Sequence, residues 1–191
     1  MTDTIPLKLT IQVCILYQSG RGLATIFLPE GRDYPCPHCK NGSLLYRDHC
    51  KRKIVYVTGD FEWICIPRGK CNNPACHRIS RMLPAILTPY KHYSEEVISD
   101  TIDGSINPAD YDNRPSENTA IRWSHWLIAN RSNIDGYLKS IGHRFLGFTE
   151  ELLRSEISLL AELRRRQPYD WLRTIIRIIY NAGAKIDPCY D

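Results

Sequence analysis

Cys36-Pro37-His38-Cys39 and Cys71-Asn72-Asn73-Pro74-Ala75-Cys76, with thirty-one residues between them, are the two stretches on which the fold turns. Two cysteines spaced by two to four residues can aim both sulfurs at one ion, and a second such pair completes a tetrahedral shell of the kind that Zn2+ prefers. Pro37 and Pro74 inside the knuckles and Gly42 just beyond the first supply turn chemistry. The spacing therefore predicts one structural Zn2+ held by Cys36, Cys39, Cys71 and Cys76, with no open coordination position. His38 and His77 sit beside these ligands and are chemically able to replace one of them, but four thiolates already fill the shell.

Working outward, the thirty-one intervening residues suit a small antiparallel ribbon. Ser43–Arg47, Lys53–Thr58 and Phe61–Ile66 read as strands, and Gly59-Asp60 marks a tight turn. Ahead of the first knuckle, residues 5–17 alternate apolar and polar side chains, and Ala24–Leu28 forms a second short apolar run after Ser19-Gly20-Arg21-Gly22. These read as an N-terminal hairpin.

The period changes at Ser94. Ser94 is placed to cap a helix, Glu95 and Glu96 suit its positive pole, Val97, Ile98 and Ile102 form an apolar stripe, and Asp103-Gly104 ends it. A polar linker over Asn107–Pro115 leads to predicted helices over Ser116–Ala129, Ile134–Phe145, Glu150–Arg166 and Asp170–Asn181. The fold class expected is α+β: a β-rich zinc-ribbon domain over residues 1–93, then an all-α domain over 94–191 with a possible helix-turn-helix. The last helix repeats Leu172, Ile175, Ile176 and Ile179, a stripe for which core packing is the default and a partner groove the alternative.

Composition bounds the function. The chain has 191 residues, 43% of them hydrophobic, enough for a packed core. It shows no signal-peptide pattern and no apolar run able to span a bilayer, so the expectation is a cytoplasmic protein with reduced thiols and no membrane partner. Cys14, Cys50, Cys65 and Cys189 lack pair spacing and read as ordinary small hydrophobes, although the basic run around Cys50 would favour its thiolate. Net charge is +4, but residues 36–93 carry ten Lys or Arg against three acids, while residues 94–118 carry one against seven.

A basic zinc ribbon suits the phosphate backbone, because each neutralised phosphate releases counterions. Arg47, Lys51, Arg52, Lys53, Arg78, Arg81 and Lys91 are the candidate phosphate contacts, and double-stranded DNA is the expected partner. The plain alternative is that Lys51-Arg52-Lys53 is a solvated hairpin tip. In the helix after the linker, Asn118 and Arg122 are the candidates for base contacts, with Trp123 and Trp126 facing a core. There is no Gly-rich phosphate loop, no paired-histidine metal motif and no nucleophile triad, so no enzyme and no small-molecule substrate are expected. Asp100, Asp103, Asp110 and Asp112 admit a Mg2+-dependent nuclease as a rival, against the reading of a solvated helix end. A protein-interaction adaptor or inhibitor, docking through the C-terminal helices, is the other rival.

The first knuckle, Tyr46, Lys51-Arg52-Lys53, Ile66-Pro67-Arg68 and Leu83-Pro84-Ala85-Ile86-Leu87-Thr88-Pro89-Tyr90 together resemble a bacterial domain family found in mobile-element contexts. That family is related to the zinc-ribbon N-terminal region of insertion-sequence transposases. The likeness continues through Arg114-Pro115-Ser116-Glu117-Asn118-Thr119 and Arg122-Trp123, similar to a helix-turn-helix segment, and through Trp171-Leu172-Arg173. The resemblance implies DNA recognition with an accessory or regulatory role. The linker from Gly104 to Arg114 is longer than the three or four residues of a compact helix-turn-helix, and too few residues follow Pro115 to build a two-metal catalytic domain.

Overall fold

The computed structural model describes residues 14–16, 23–28, 31, 33–105, 114–181 and 186–187. The predicted strand residues 5–13, the linker carrying Asp110 and Asp112, and Cys189 lie outside the described residues.

The chain is α+β, with strands preceding helices along the sequence. β1 (Cys14–Leu16), β2 (Leu23–Phe27), β3 (Leu44–Val55), β4 (Phe61–Cys71) and β5 (Ile79–Arg81) form one sheet in the order β1-β2-β4-β3, with β5 also beside β4. β1 and β2 pair antiparallel, as the N-terminal hairpin reading expects. β2 then runs parallel to β4, with Ala24 opposite Ile64. Nothing local in the sequence specified that long-range pairing.

The β3–β4 hairpin departs from the sequence reading. The two short strands expected before Gly59 are one strand of 12 residues. Lys51-Arg52-Lys53 is therefore no hairpin tip; it lies in the middle of β3, with Lys51 opposite Cys65 and Lys53 opposite Trp63. The turn is the 56–60 segment, in which Gly59 adopts φ 80° and its N–H reaches the carbonyl of Tyr56. The register shifts between Tyr46 and Asp48, leaving Arg47 at a bulge.

Alternation decides which side chains the sheet buries. Ala24 and Ile26 of β2, Ile54 of β3 and Ile64 and Ile66 of β4 occupy one face and pack with Met82 and Leu87 in one hydrophobic cluster. The segment 82–94 closes over that face. It is tied to β3 by a bridge from Val55 to Tyr93 and closed on itself by one from Leu87 to Ser94.

α1 (Glu95–Asp103) begins and ends where its caps predict: the Ser94 hydroxyl accepts from the Val97 N–H, and Gly104 closes it at φ 69°. α2 (Glu117–Leu146) is one helix of 30 residues where two were expected. The polar run Asn130-Arg131-Ser132-Asn133 holds neither proline nor glycine, so nothing breaks the backbone ladder. The amide of buried Asn130 instead bonds the Trp126 carbonyl and both backbone groups of Asp187.

Conversely, the single helix expected over 150–166 is two, α3 (Glu150–Arg154) and α4 (Leu159–Arg166). Ser155 bonds back to the Leu152 carbonyl, and Ser158 caps α4 while Asp135 of α2 receives the Leu160 N–H at 2.7 Å. Serine hydroxyls thus offer the backbone partners that compete with helix continuation. In α5 (Trp171–Asn181) the stripe Leu172, Ile175, Ile176 and Ile179 is core, packed with Trp123, Trp126, Ile134 and Leu138 of α2. No described helix is long and apolar enough to cross a membrane.

Candidate metal centre and basic sheet face

The two knuckles flank the β3–β4 hairpin in sequence and meet at its open end, where Leu44 pairs with Cys71. The Sγ atoms of Cys36, Cys39, Cys71 and Cys76 all lie within 4.8 Å of one another, the one such group among the described residues. Cys39 and Cys71 are 3.7 Å apart, and Cys36 and Cys76 are 3.8 Å apart. A regular tetrahedron with metal–sulfur bonds of about 2.3 Å has sulfur–sulfur edges of about 3.8 Å, so four thiolates at this spacing fit one tetrahedral ion. All four are free thiols, with Cys36 and Cys71 each 1% exposed.

The cage is built by backbone geometry. The residue after the second cysteine of each knuckle takes a left-handed conformation, Lys40 at φ 58° and His77 at φ 48°. The Lys40 N–H then bonds the Cys36 carbonyl, and the His77 N–H bonds the Asn73 carbonyl. Asn73 donates its backbone N–H to Cys71 Sγ at 3.4 Å and its side-chain amide toward Cys39 Sγ at 3.7 Å. Gly42 lies where the loops cross: a Cβ there would stand 2.8 Å from both Asn73 Cβ and Cys71 Sγ. Gly42 was legible as turn material; its role as the point of closest approach was not, and neither was that of Asn73.

Electrostatics are those of four thiols sharing one space. Burial opposes ionisation of Cys39, but the Asn41 N–H and then the neighbouring Cys71, Cys36 and Cys76 thiols prevail and bring it down to about 7. Burial, against the Asn73 N–H, pushes Cys71 up to about 12, and the other three thiols add to the rise. A cation held between the sulfurs would favour the thiolate form of each. His38 does not enter the cage; its Nδ1 lies 3.3 Å from the Arg78 guanidinium, and burial followed by the Arg78 charge lowers its pKa. His77 is exposed outside the cluster.

The predicted cations separate by strand alternation. Lys51 and Lys53 project from the face opposite the core, and Lys53 Nζ stands 4.1 Å from the centroid of the Phe61 ring. Arg52 projects to the core side, and this corrects its expected role: its guanidinium donates to the carbonyls of Thr88 and Lys91 and braces the 82–94 segment. Burial, then the charge of Arg81, lowers its pKa to about 10. Arg81 pairs with Arg68 on that same side, so the strand cations do not all converge on one surface. Arg47 and Arg78 are exposed, and Lys91 is half-buried over the Trp126 ring at 4.9 Å. Arg68 is committed to Asp48 through both guanidinium and carboxylate, which holds that carboxyl below its ordinary range.

Asn118 and Arg122 are exposed in the first two turns of α2, and Arg122 Nη2 lies 3.4 Å from Thr119 Oγ1. Ser116 caps that helix through the Thr119 N–H. Of the acidic residues, Asp103 is engaged by Arg164 and by the Trp171 indole N–H, the latter at 2.8 Å. Asp103 and Asp100 belong to no metal-competent cluster among the described residues.

Residues 36–123 match the model of a family described as a domain of unknown function, DUF6431. The match spans both knuckles, the hairpin between them, α1 and the first turns of α2. No curated protein and no solved structure matches the chain.

Proposed function

We propose that this chain is a non-enzymatic DNA-binding protein in which one structural Zn2+ closes a zinc ribbon and the ribbon's cations hold phosphates, serving as an accessory or regulatory protein of a mobile element. The observation that carries this reading is the pairing of a thiol cage with Lys51 and Lys53 on the open face of the same hairpin. A fixed sheet holds two cations in register at low entropic cost. Arg47 at the bulge and Arg78 at the knuckle extend the basic surface, and Asn118 and Arg122 supply base contacts from α2. Arg52 is outside the set. The relation to the N-terminal region of insertion-sequence transposases rests on the sequence resemblance alone.

Two measurements test it. Purified chain is expected to carry one zinc per molecule by elemental analysis, reduced to none in a variant with Cys71 and Cys76 both changed to Ser. Duplex DNA binding followed by fluorescence anisotropy is expected to fall steeply with salt. Charge reversal at Lys51 and Lys53 together, with Arg52 retained, is expected to weaken binding to every sequence and flatten the log–log salt slope by roughly 2. Binding that ignores salt, or that survives both reversals, overturns the reading.

The adaptor reading has one feature in its favour, the division of cations between two faces of the sheet. It lacks the other: the apolar stripe of α5 that was to dock a partner is buried, with Leu172 and Ile175 both 0% exposed.

A further inference from the structure

The open face of the hairpin carries aromatic rings as well as cations. Phe61 is 57% exposed, Trp63 47% and Tyr46 57%, at strand positions where alternation would equally permit polar side chains. Register sets them beside the lysines: Lys53 opposite Trp63, Val55 opposite Phe61, and Lys51 opposite Cys65 one step along. Tyr46 completes the far end, its hydroxyl 2.8 Å from His49 Nδ1. Of the hairpin's three carboxylates, Asp48 and Glu62 alternate onto the other side, where they pair with Arg68 and Tyr56 respectively, and Asp60 lies in the turn, where it accepts from the Thr58 hydroxyl. Among the described strand positions this face is thus aromatic and cationic without an acid.

Exposed rings interleaved with lysines on a flat sheet meet the two requirements of unpaired nucleic acid: a π surface for bases and positive charge for phosphates. A duplex offers no base faces to such a surface, because its bases are already stacked on one another. An apolar protein partner would bury Lys51 and Lys53 without a counter-charge from this chain. We propose that this face binds single-stranded DNA, with Trp63 as the principal stacking platform, Phe61 as a second, and Lys51 and Lys53 on the adjoining phosphates. The proposal rests on the DNA-binding reading above and adds to it an unpaired strand as a second ligand of the same lysines.

Trp63 supplies its own reporter. Of the four tryptophans, Trp123 is 4% exposed, Trp126 3% and Trp171 0%, so solvent-exposed indole emission belongs to Trp63. Zinc-loaded full chain is titrated with an oligothymidylate of about 12 nucleotides, within the site size of sheet-based binders. The expected result is quenching of the exposed emission component, with affinity falling about tenfold or more in Trp63→Leu and within about threefold of wild type in Trp63→Phe, which keeps the ring. Duplex affinity is expected to be unchanged by Trp63→Leu and lowered by the Lys51 and Lys53 reversals. Circular dichroism and zinc content establish that the half-exposed substitution leaves the fold intact.

Equal oligothymidylate affinity in wild type and Trp63→Leu overturns the platform. Duplex binding without single-strand binding overturns it while leaving the wider reading standing, and loss of both sinks both. Tighter binding of oligouridylate than oligothymidylate overturns the choice of DNA. Concentration-dependent self-association abolished by Trp63→Leu identifies a second copy of the chain as the occupant and likewise refutes the proposal.

Discussion

Gly42→Ala is the sharpest perturbation of the metal centre, because it changes no ligand. The methyl would stand 2.8 Å from Asn73 Cβ, 2.8 Å from Cys71 Sγ and 2.9 Å from Asn72 Oδ1. Ordinary contact between such atoms begins near 3.5 Å, so each must retreat by about 0.6 Å or more. Asn73 and Cys71 belong to one knuckle whose N–H groups fix the sulfur, and they can retreat only by carrying Cys71 away from Cys39. A metal–sulfur bond tolerates about 0.2 Å. Overpacking of this size costs about 1–3 kcal/mol, and since the cage is where it is felt, metal affinity should weaken roughly 5- to 150-fold. Competition against a chromophoric chelator measures it, with thermal unfolding at saturating and limiting zinc as a second readout. A Gly42→Ala chain that holds zinc within twofold of wild type, with an unchanged midpoint, refutes the claim that the two loops close at this glycine.

Gly136→Ala is the matched control: nothing lies within 4 Å of a Cβ at this position in α2, and the helix should gain about 0.5–1 kcal/mol in chemical denaturation. Lys40→Val places a β-branched residue at φ 58° and should be less stable than Lys40→Gly by about 1–3 kcal/mol in the zinc-loaded chain; equal stabilities would show that the knuckle does not need its left-handed residue. Glu95, 1% exposed and bonded to Arg173 through one oxygen while its Oε2 has no partner, is raised by burial to about 7, against the attraction of Arg173. The folded state then holds a proton that the unfolded state, with an ordinary value of 4.5, releases. The stability this group contributes is complete below pH 4.5 and is lost as pH rises to and through 7. Relative to Glu95→Gln, the wild type should lose about 3 kcal/mol across that window; parallel pH profiles for the two chains would exclude this linkage.

What could be read in advance follows the range of the interactions. Cysteine spacing is local, and Cys36, Cys39, Cys71 and Cys76 converge as the spacing required. Helix caps are local too: Ser94 and Gly104 bound α1 from their own side chain and backbone. The parallel match of β2 to β4 and the burial of the Asn130 amide within α2 depend on residues far along the chain, on β4 in one case and Asp187 in the other. The break between α3 and α4 is not legible locally, because Ser155 and Ser158 are tolerable in a helix. It took Asp135, 25 residues upstream of Leu160, to give the second start its partner.

In the Lys51-Arg52-Lys53 run the difference between local pattern and fold bears on function. Three adjacent cations in sequence suggest one patch, but a strand assigns alternate residues to opposite faces. Arg52 is consequently a brace, its guanidinium holding two carbonyls of the segment that leads into α1, while Lys51 and Lys53 stand free of that duty beside Trp63 and Phe61. Removing all three together would release the 82–94 segment and abolish binding for a reason unrelated to phosphate. Replacing Lys51 and Lys53 alone should weaken DNA binding with the unfolding midpoint nearly unchanged. Arg52→Gln should do the reverse, lowering the midpoint through two partly buried carbonyls left short of a charged donor, at about 1–3 kcal/mol, with DNA affinity of the folded fraction retained. A common response of both variants in both assays would mean that the alternation does not divide the triplet, and the open face would lose its claim to be a separate surface.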